Sequence, residues 1–241
     1  MFLEIFKTAK PILGMLHLKG DNAKARLKKA IIEADVYAEC GINGMIVEDY
    51  YGDVSDVENA LAYLSKERPK YILGVNVLKS FSRGYQLARQ YGAKFMQIDS
   101  ICGHLEPKDE KSYFEMIDNF RKDAKVAIIG GVRFKYQPTL SNRSLEDDLG
   151  IGIRHCDAIA VTGAGTGMST GTEKINQFRD IIHDFPLVVA AGMAKDTVAE
   201  KLLVGDAAIV GSTFKDTRKD TGDVSAENVR DFMDEVRRCF R

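Results

Sequence analysis

The chain has 241 residues, room for one large domain or two small ones. Hydrophobic residues make up 45% and charged residues 29%, the balance of a globular protein, and no apolar run reaches the length of a membrane span. The formal net charge is −1 with lysine and arginine scattered, so no basic field points to nucleic acid.

The opening MFLEIFKTAK lacks the basic start and long apolar stretch of a signal peptide. Cys40, Cys102, Cys156 and Cys239 lie far apart without a CxxC pair. That spacing argues for reduced thiols and a cytoplasmic location, and against a disulfide framework or zinc knuckle.

Eight short apolar runs follow in order, at 11–16, 42–47, 71–77, 94–98, 125–134, 157–161, 186–191 and 206–210. Most are rich in Val and Ile and continuous rather than alternating, the pattern of parallel strands buried on both faces. Helical segments separate them, at 23–40, 54–66, 80–91, 108–121, 143–154, 172–183, 196–203 and 225–238. Gly41 is placed to end the first helix, and Asp196 and Ser225 are candidate N-caps. An open doubly wound sheet uses the same alternation. Eight repeats within this length favour a single-domain (β/α)₈ TIM barrel over residues 1–241.

In such a barrel, chemistry collects on the loops after the strands. His17 follows the first strand, and Glu48, Asp49, Tyr50 and Tyr51 follow the second. The third delivers Asn76, the fourth Gln97 and Asp99, and the fifth Arg133 and Lys135. Neighbours on a strand point to opposite faces, so Glu48 and Asp49 cannot form one carboxylate pair. Glu48, directly after Met45-Ile46-Val47, is the residue expected at the mouth. There it acts as a general base if its pKa is raised, or it is satisfied by a neighbouring lysine or arginine. Lys135 can anchor a phosphate, form a Schiff base or pair with Glu48. Asn76, polar among apolar residues, needs a hydroxyl or carboxylate partner. His17 reads either as a packed structural residue or as a member of the site.

After the sixth strand comes Thr162-Gly163-Ala164-Gly165-Thr166-Gly167. Glycines at every second position let backbone N–H groups approach a ligand, and a helix opening at Thr172 favours an anion. A turn without a ligand accounts for that loop equally well. The next two strands end in Gly192 and in Gly211-Ser212, and three such loops in a row point to phosphate.

The stretches GMLHL, INGMIVEDYYGD, GVNVL, VTGAGTG and AAIVGSTFK, followed by DVSAENVRDFM, resemble the BtpA/SgcQ family nearly end to end. The resemblance implies a phosphate-binding TIM barrel. The family name comes from a role in photosystem I biogenesis, and members also occur in sugar-utilisation gene clusters. This chain departs from the pattern in a short Lys19-Gly20-Asp21 segment, in Asp49 where Asn is usual, and in Tyr136 where His is common.

Two functions follow as expectations. One is an enzyme acting on a phosphorylated sugar or nucleoside-like metabolite by isomerase, epimerase, lyase or glycosyl-transfer chemistry. Glu48 or Asp99 would serve as acid/base, with Lys135, Asn76 and His17 assisting. Thr162, Gly163, Gly165, Thr166, Gly167, Gly192, Gly211 and Ser212 would hold the phosphate. The other is a non-catalytic assembly factor that meets a partner through Tyr50-Tyr51 or the basic end at 237–241. Tyr50-Tyr51 also offers a contact for a homo-oligomer. No cofactor is required by the pattern. Asp49, Asp53, Asp99 and His17 leave room for a divalent ion, although no HxH or HExxH spacing occurs.

Overall fold

A computed structural model describes residues 2–122 and 125–240. Met1 of the opening segment and Arg241 of the basic C-terminal end lie outside the described residues. The strands are β1 (Ile12–Leu16), β2 (Gly44–Glu48), β3 (Leu73–Asn76), β4 (Phe95–Cys102), β5 (Ala127–Val132), β6 (Ala158–Val161), β7 (Leu187–Val189) and β8 (Ala207–Val210). They close in sequence order into a parallel barrel, with β8 pairing back onto β1. The helices are α1 (Ala23–Cys40), α2 (Val54–Glu67), α3 (Phe81–Tyr91), α4 (Pro107–Arg121), α5 (Leu145–His155), α6 (Thr172–Ile182), α7 (Val198–Val204) and α8 (Ala226–Cys239). The TIM barrel read from the alternation is therefore the observed fold.

Helix ends follow local chemistry. Asn22 caps α1 through Ala25 N–H, and Gly41 closes it in the left-handed region at φ 85°. Asp53 with Asp56, and Ser144 with Asp147, form capping boxes on α2 and α5. Ser225 caps α8 as expected. Asp196 does not cap α7: Thr197 N–H bonds to the Ala194 carbonyl, and this turn delays the helix to Val198. Helix α5 also starts later than expected, because Arg143 turns aside to grip Glu110 and Asp148.

Strand periodicity sorts residues into two cores. Ile12, Leu16, Val47 and Val75 face the helices. Leu13, Met15, Ile46, Phe95, Ile129, Ala158, Ala160, Val188, Ala207 and Ile209 fill the barrel. The short 3₁₀ turn Leu3–Ile5 brings Phe2 and Phe6 under the barrel floor. There they meet Phe95 edge-on, at centroid distances of 6.2 and 5.9 Å. Gly74 makes this packing possible, since a Cβ there would stand 2.3 Å from the Phe95 ring.

Candidate active site

Two residues further along β1, β2, β4 and β6, the inward positions turn polar. Ile46 is followed by Glu48, Met15 by His17, Phe95 by Gln97 and then Asp99, and Ala160 by Thr162. All but Asp99, which is half-buried, are almost wholly buried. The β2–β3 register sets Glu48 beside Asn76, whose Nδ2 donates to Glu48 Oε1 at 2.7 Å and to Asp99 Oδ1 at 3.2 Å. Gln97 Nε2 donates to the same Asp99 oxygen at 3.1 Å. The register shift between Ile98 and Cys102 carries β4 past its expected end. Gly131 accommodates it, because a Cβ there would lie 2.2 Å from the Asp99 carbonyl oxygen. Asp49 faces outward and accepts from Leu78 N–H at 2.9 Å. The two adjacent carboxylates are thus separated as strand geometry requires.

Burial, then the charge of Asp99, pushes the Glu48 carboxyl up to about 8, while Lys135 and the Asn76 hydrogen bond pull the other way. Burial also raises Asp99, against hydrogen bonds from Gln97 and Asn76. His17 Nε2 stands 3.6 Å from Glu48 Oε2, too far for a hydrogen bond. Burial, followed by the charge of Lys215, holds the imidazole down to about 3, so it is neutral near pH 7. Its ring packs against Tyr50 at 4.9 Å, and among the described residues its Nδ1 is buried without a hydrogen-bond partner. The same holds for Gln97 Oε1.

Lys135 reaches the mouth on a constrained turn. Arg133 and Tyr136 on either side take left-handed backbone angles, φ 46° and 63°, unusual for residues with side chains. Arg133 points away from the mouth onto the fully buried Asp148. Phe134 is buried, Lys135 N–H donates to Thr162 Oγ1 at 2.9 Å, and Tyr136 Oη accepts from Thr166 N–H at 2.8 Å. Among the described residues Lys135 Nζ has no hydrogen-bond or ion-pair partner; it stands 5.9 Å from the centroid of the Phe134 ring.

These groups share a cavity of about 160 Å³. His17, Glu48, Asp99 and Lys135 line it together with Thr166, Gly167, Gly192, Gly211 and Ser212. Asn76 stands behind, bonded to both carboxylates. Thr162, Gly163 and Gly165 do not reach the cavity surface. Thr162 instead fixes Lys135, and Gly163 packs where a Cβ would lie 2.7 Å from the Ser169 carbonyl oxygen. Gly192, at φ 58°, is pressed equally close to Met168 and Ser169. The N-terminus of α6 is also away from the cavity. Gln97, Tyr50 and Tyr136 line it as well, three strand-end residues to which the sequence reading assigned no chemistry. Among the described residues the backbone N–H groups of Gly192, Met193, Gly211 and Ser212 make no hydrogen bond.

Over the β1–β2 side, the loop after β8 folds back through a bridge between Lys215 and Val224. Asp220 in that loop accepts hydrogen bonds from Tyr50 and Tyr51, at 3.0 and 2.9 Å. Tyr50 therefore forms part of the mouth's own wall, with Tyr51 packed against it from outside the cavity. Among the described residues no group of three or more His, Cys, Asp or Glu side chains is placed to hold a metal ion, and no helix is long and apolar enough to cross a membrane.

A closed eight-stranded barrel with a polar mouth over an apolar floor defines a TIM-barrel protein. Residues 8–238 match the BtpA family, and the chain belongs to it. The Photosystem I biogenesis protein BtpA of Synechocystis is 23% identical over 240 residues, covering 88% of this chain and 83% of that protein. Among solved structures, the native KDPGal structure superposes with a TM-score of 0.68 at 12% identity, covering 97% of this chain and 98% of the other. The 3-keto-L-gulonate-6-phosphate decarboxylase of Vibrio cholerae gives a TM-score of 0.66 at 11% identity, covering 98% of this chain and all of the other. At these identities the structural likeness concerns the fold.

Proposed function

We propose that the chain is an enzyme that moves a proton on a phosphorylated sugar or a nucleoside-like metabolite. One observation carries this reading: a carboxyl titrating at about 8 shares a cavity with an unpaired lysine and a wall of free backbone N–H groups. A group that titrates near neutral pH both gives and takes a proton readily. Glu48 is that group, and Asp99 is its second carboxyl. Asn76 holds the two in a fixed relation through one amide nitrogen. Lys135 supplies a positive charge for the oxygen that becomes negative when a neighbouring carbon loses its proton. Neutral His17 and Gln97 line the same cavity and orient sugar hydroxyls there.

The phosphate is assigned to Gly192, Met193, Gly211 and Ser212, on the loops where many barrels bind it. Proton transfer next to a carbonyl underlies isomerisation, epimerisation and carbon–carbon bond cleavage, and these are the reactions the geometry favours. The decarboxylase that shares the fold is named for a phosphorylated sugar acid. No cofactor enters this chemistry.

Thermal-shift screening against sugar phosphates and the matching free sugars tests the reading, because a ligand that binds only the folded state raises its stability. Stabilisation by phosphorylated members alone is the expected result. Equal response to the free sugars would remove the phosphate assignment. Unchanged turnover of a substrate so found by Glu48→Gln and Lys135→Ala would remove the assigned roles.

A further inference from the structure

Behind the wall formed by the loops after β6 and β7 lie two ammonium groups that the proton-transfer chemistry does not use. Lys201 of α7 is 2% exposed, and its Nζ donates to Ser169 Oγ at 2.7 Å and to the Gly192 carbonyl at 3.1 Å. Lys174 of α6 is half-buried. It donates to the Thr162 carbonyl at 2.8 Å and stands 5.6 Å from the Phe178 ring centroid. Every one of these acceptors is neutral. Among the described residues neither lysine forms an ion pair, and Glu200 and Asp196 act on Lys201 only from a distance. Burial pushes the pKa of both lysines down. A buried charge without a counter-ion is costly, and an anion nearby offsets that cost.

The backbone between the lysines and the cavity is arranged for such an anion. Three successive carbonyls after β7 accept from side chains: Ala191 from Thr170 Oγ1 and Gly192 from Lys201 Nζ, neither of which lines the cavity, and Met193 from Thr213 Oγ1, which does. In a trans peptide the N–H points opposite to the carbonyl. The Gly192 and Met193 N–H groups therefore face away from Thr170 and Lys201, and both residues line the cavity. Gly192 supplies the left-handed step that lets consecutive N–H groups converge into an anion-binding nest. An ammonium bonded to the Gly192 carbonyl polarises that peptide and strengthens the Met193 N–H as a donor.

We infer that Lys201, seconded by Lys174, is a positioning residue that makes this wall selective for a doubly charged tetrahedral anion, a phosphoryl group rather than a carboxylate. The inference rests on the phosphate assignment above and adds the source of its charge selectivity. Lys201 acts through the Gly192–Met193 peptide and touches no ligand itself.

Sulfate and methyl sulfate, tetrahedral anions with two charges and one, separate charge from shape. Calorimetric titration of the whole chain with each is expected to show tighter binding of sulfate. Lys201→Met keeps most of the side-chain length and removes the charge. It should weaken sulfate about tenfold, the low end of what a hydrogen bond to a charged group contributes, and methyl sulfate less. Lys174→Met should act in the same direction with a smaller effect, and Lys201→Arg should restore the preference for sulfate. Without an anion, Lys201→Met should melt no lower than the wild type, since an unpaired buried charge has been removed.

Wild-type binding of sulfate with an unchanged sulfate-to-methyl-sulfate ratio in Lys201→Met would overturn this inference alone. Failure of the wild type to bind either anion would overturn the phosphate assignment and this inference with it. Should Lys201→Met not fold, the same ratio measured in Lys174→Met decides.

Discussion

The two ends of the barrel are built on opposite principles. At the floor, Phe2, Phe6 and Phe95 close the interior with apolar surface. At the mouth, the same inward positions carry His17, Glu48, Asn76 and Gln97, all buried, and among the described residues His17 Nδ1 and Gln97 Oε1 have no hydrogen-bond partner. A buried polar atom without a partner costs about 1–3 kcal/mol, and an ionised carboxylate in such surroundings costs more. The floor stabilises the chain, whereas the mouth lowers its stability and is arranged for what enters it.

The largest effect should come from breaking the floor. Phe95→Ala removes a fully buried ring that fills the barrel beside Gly74, and should cost about 3–5 kcal/mol in denaturant unfolding. A loss as small as that of a surface substitution would mean that the floor carries no such load.

At the mouth the sign reverses with pH. Glu48 has its pKa raised from 4.5 to about 8, so the folded chain keeps a proton that the unfolded chain releases, and stability falls as pH rises through that interval. His17 is lowered from 6.5 to about 3, so its contribution is present above pH 6.5 and is lost as pH falls through that range. The two oppose each other in acid, and Glu48 dominates between pH 6.5 and 8. There the wild type should lose up to about 1.4 kcal/mol per pH unit, and Glu48→Gln should abolish most of that slope. Equal slopes in urea melts of the two proteins would place the Glu48 pKa elsewhere.

The smallest effect concerns the loop over the mouth. Tyr51→Phe deletes one of the two phenol hydrogen bonds to Asp220 and should cost about 1 kcal/mol or less. It should speed amide hydrogen exchange around 219–221 while leaving the floor unchanged. Exchange that rises evenly through the barrel would instead make Tyr51 part of the global fold.

The strand order was legible from the sequence because period and length suffice for it: eight apolar runs alternated with eight helical segments. The floor was not, because Phe2 and Phe6 reach Phe95 through a short 3₁₀ turn that carries no periodic signal. Glu48, Asn76, Asp99, Lys135 and His17 were legible as strand-end polar residues, and the structure gathers them at one mouth. The glycine loop was only half legible. Gly163 and Gly192 are glycines because loops touch there, a contact between distant segments that local sequence does not encode. Gly167 and Gly211 reach the cavity, whereas Gly165 sits against Tyr136 Oη. Lys201 and Lys174 were not legible at all. Each reads as an ordinary helix lysine, and only the fold buries them behind the mouth.

The proposed transfer of a proton by Glu48 on a phosphorylated ligand at this mouth is tested by deuterium exchange from solvent into the carbon-bound positions of a panel of pentose and hexose phosphates, followed by proton NMR with wild type and Glu48→Gln. Exchange at one carbon of a bound sugar phosphate is expected with the wild type, slowed at least about 100-fold in Glu48→Gln while binding persists. Exchange at the same rate in both proteins would contradict it.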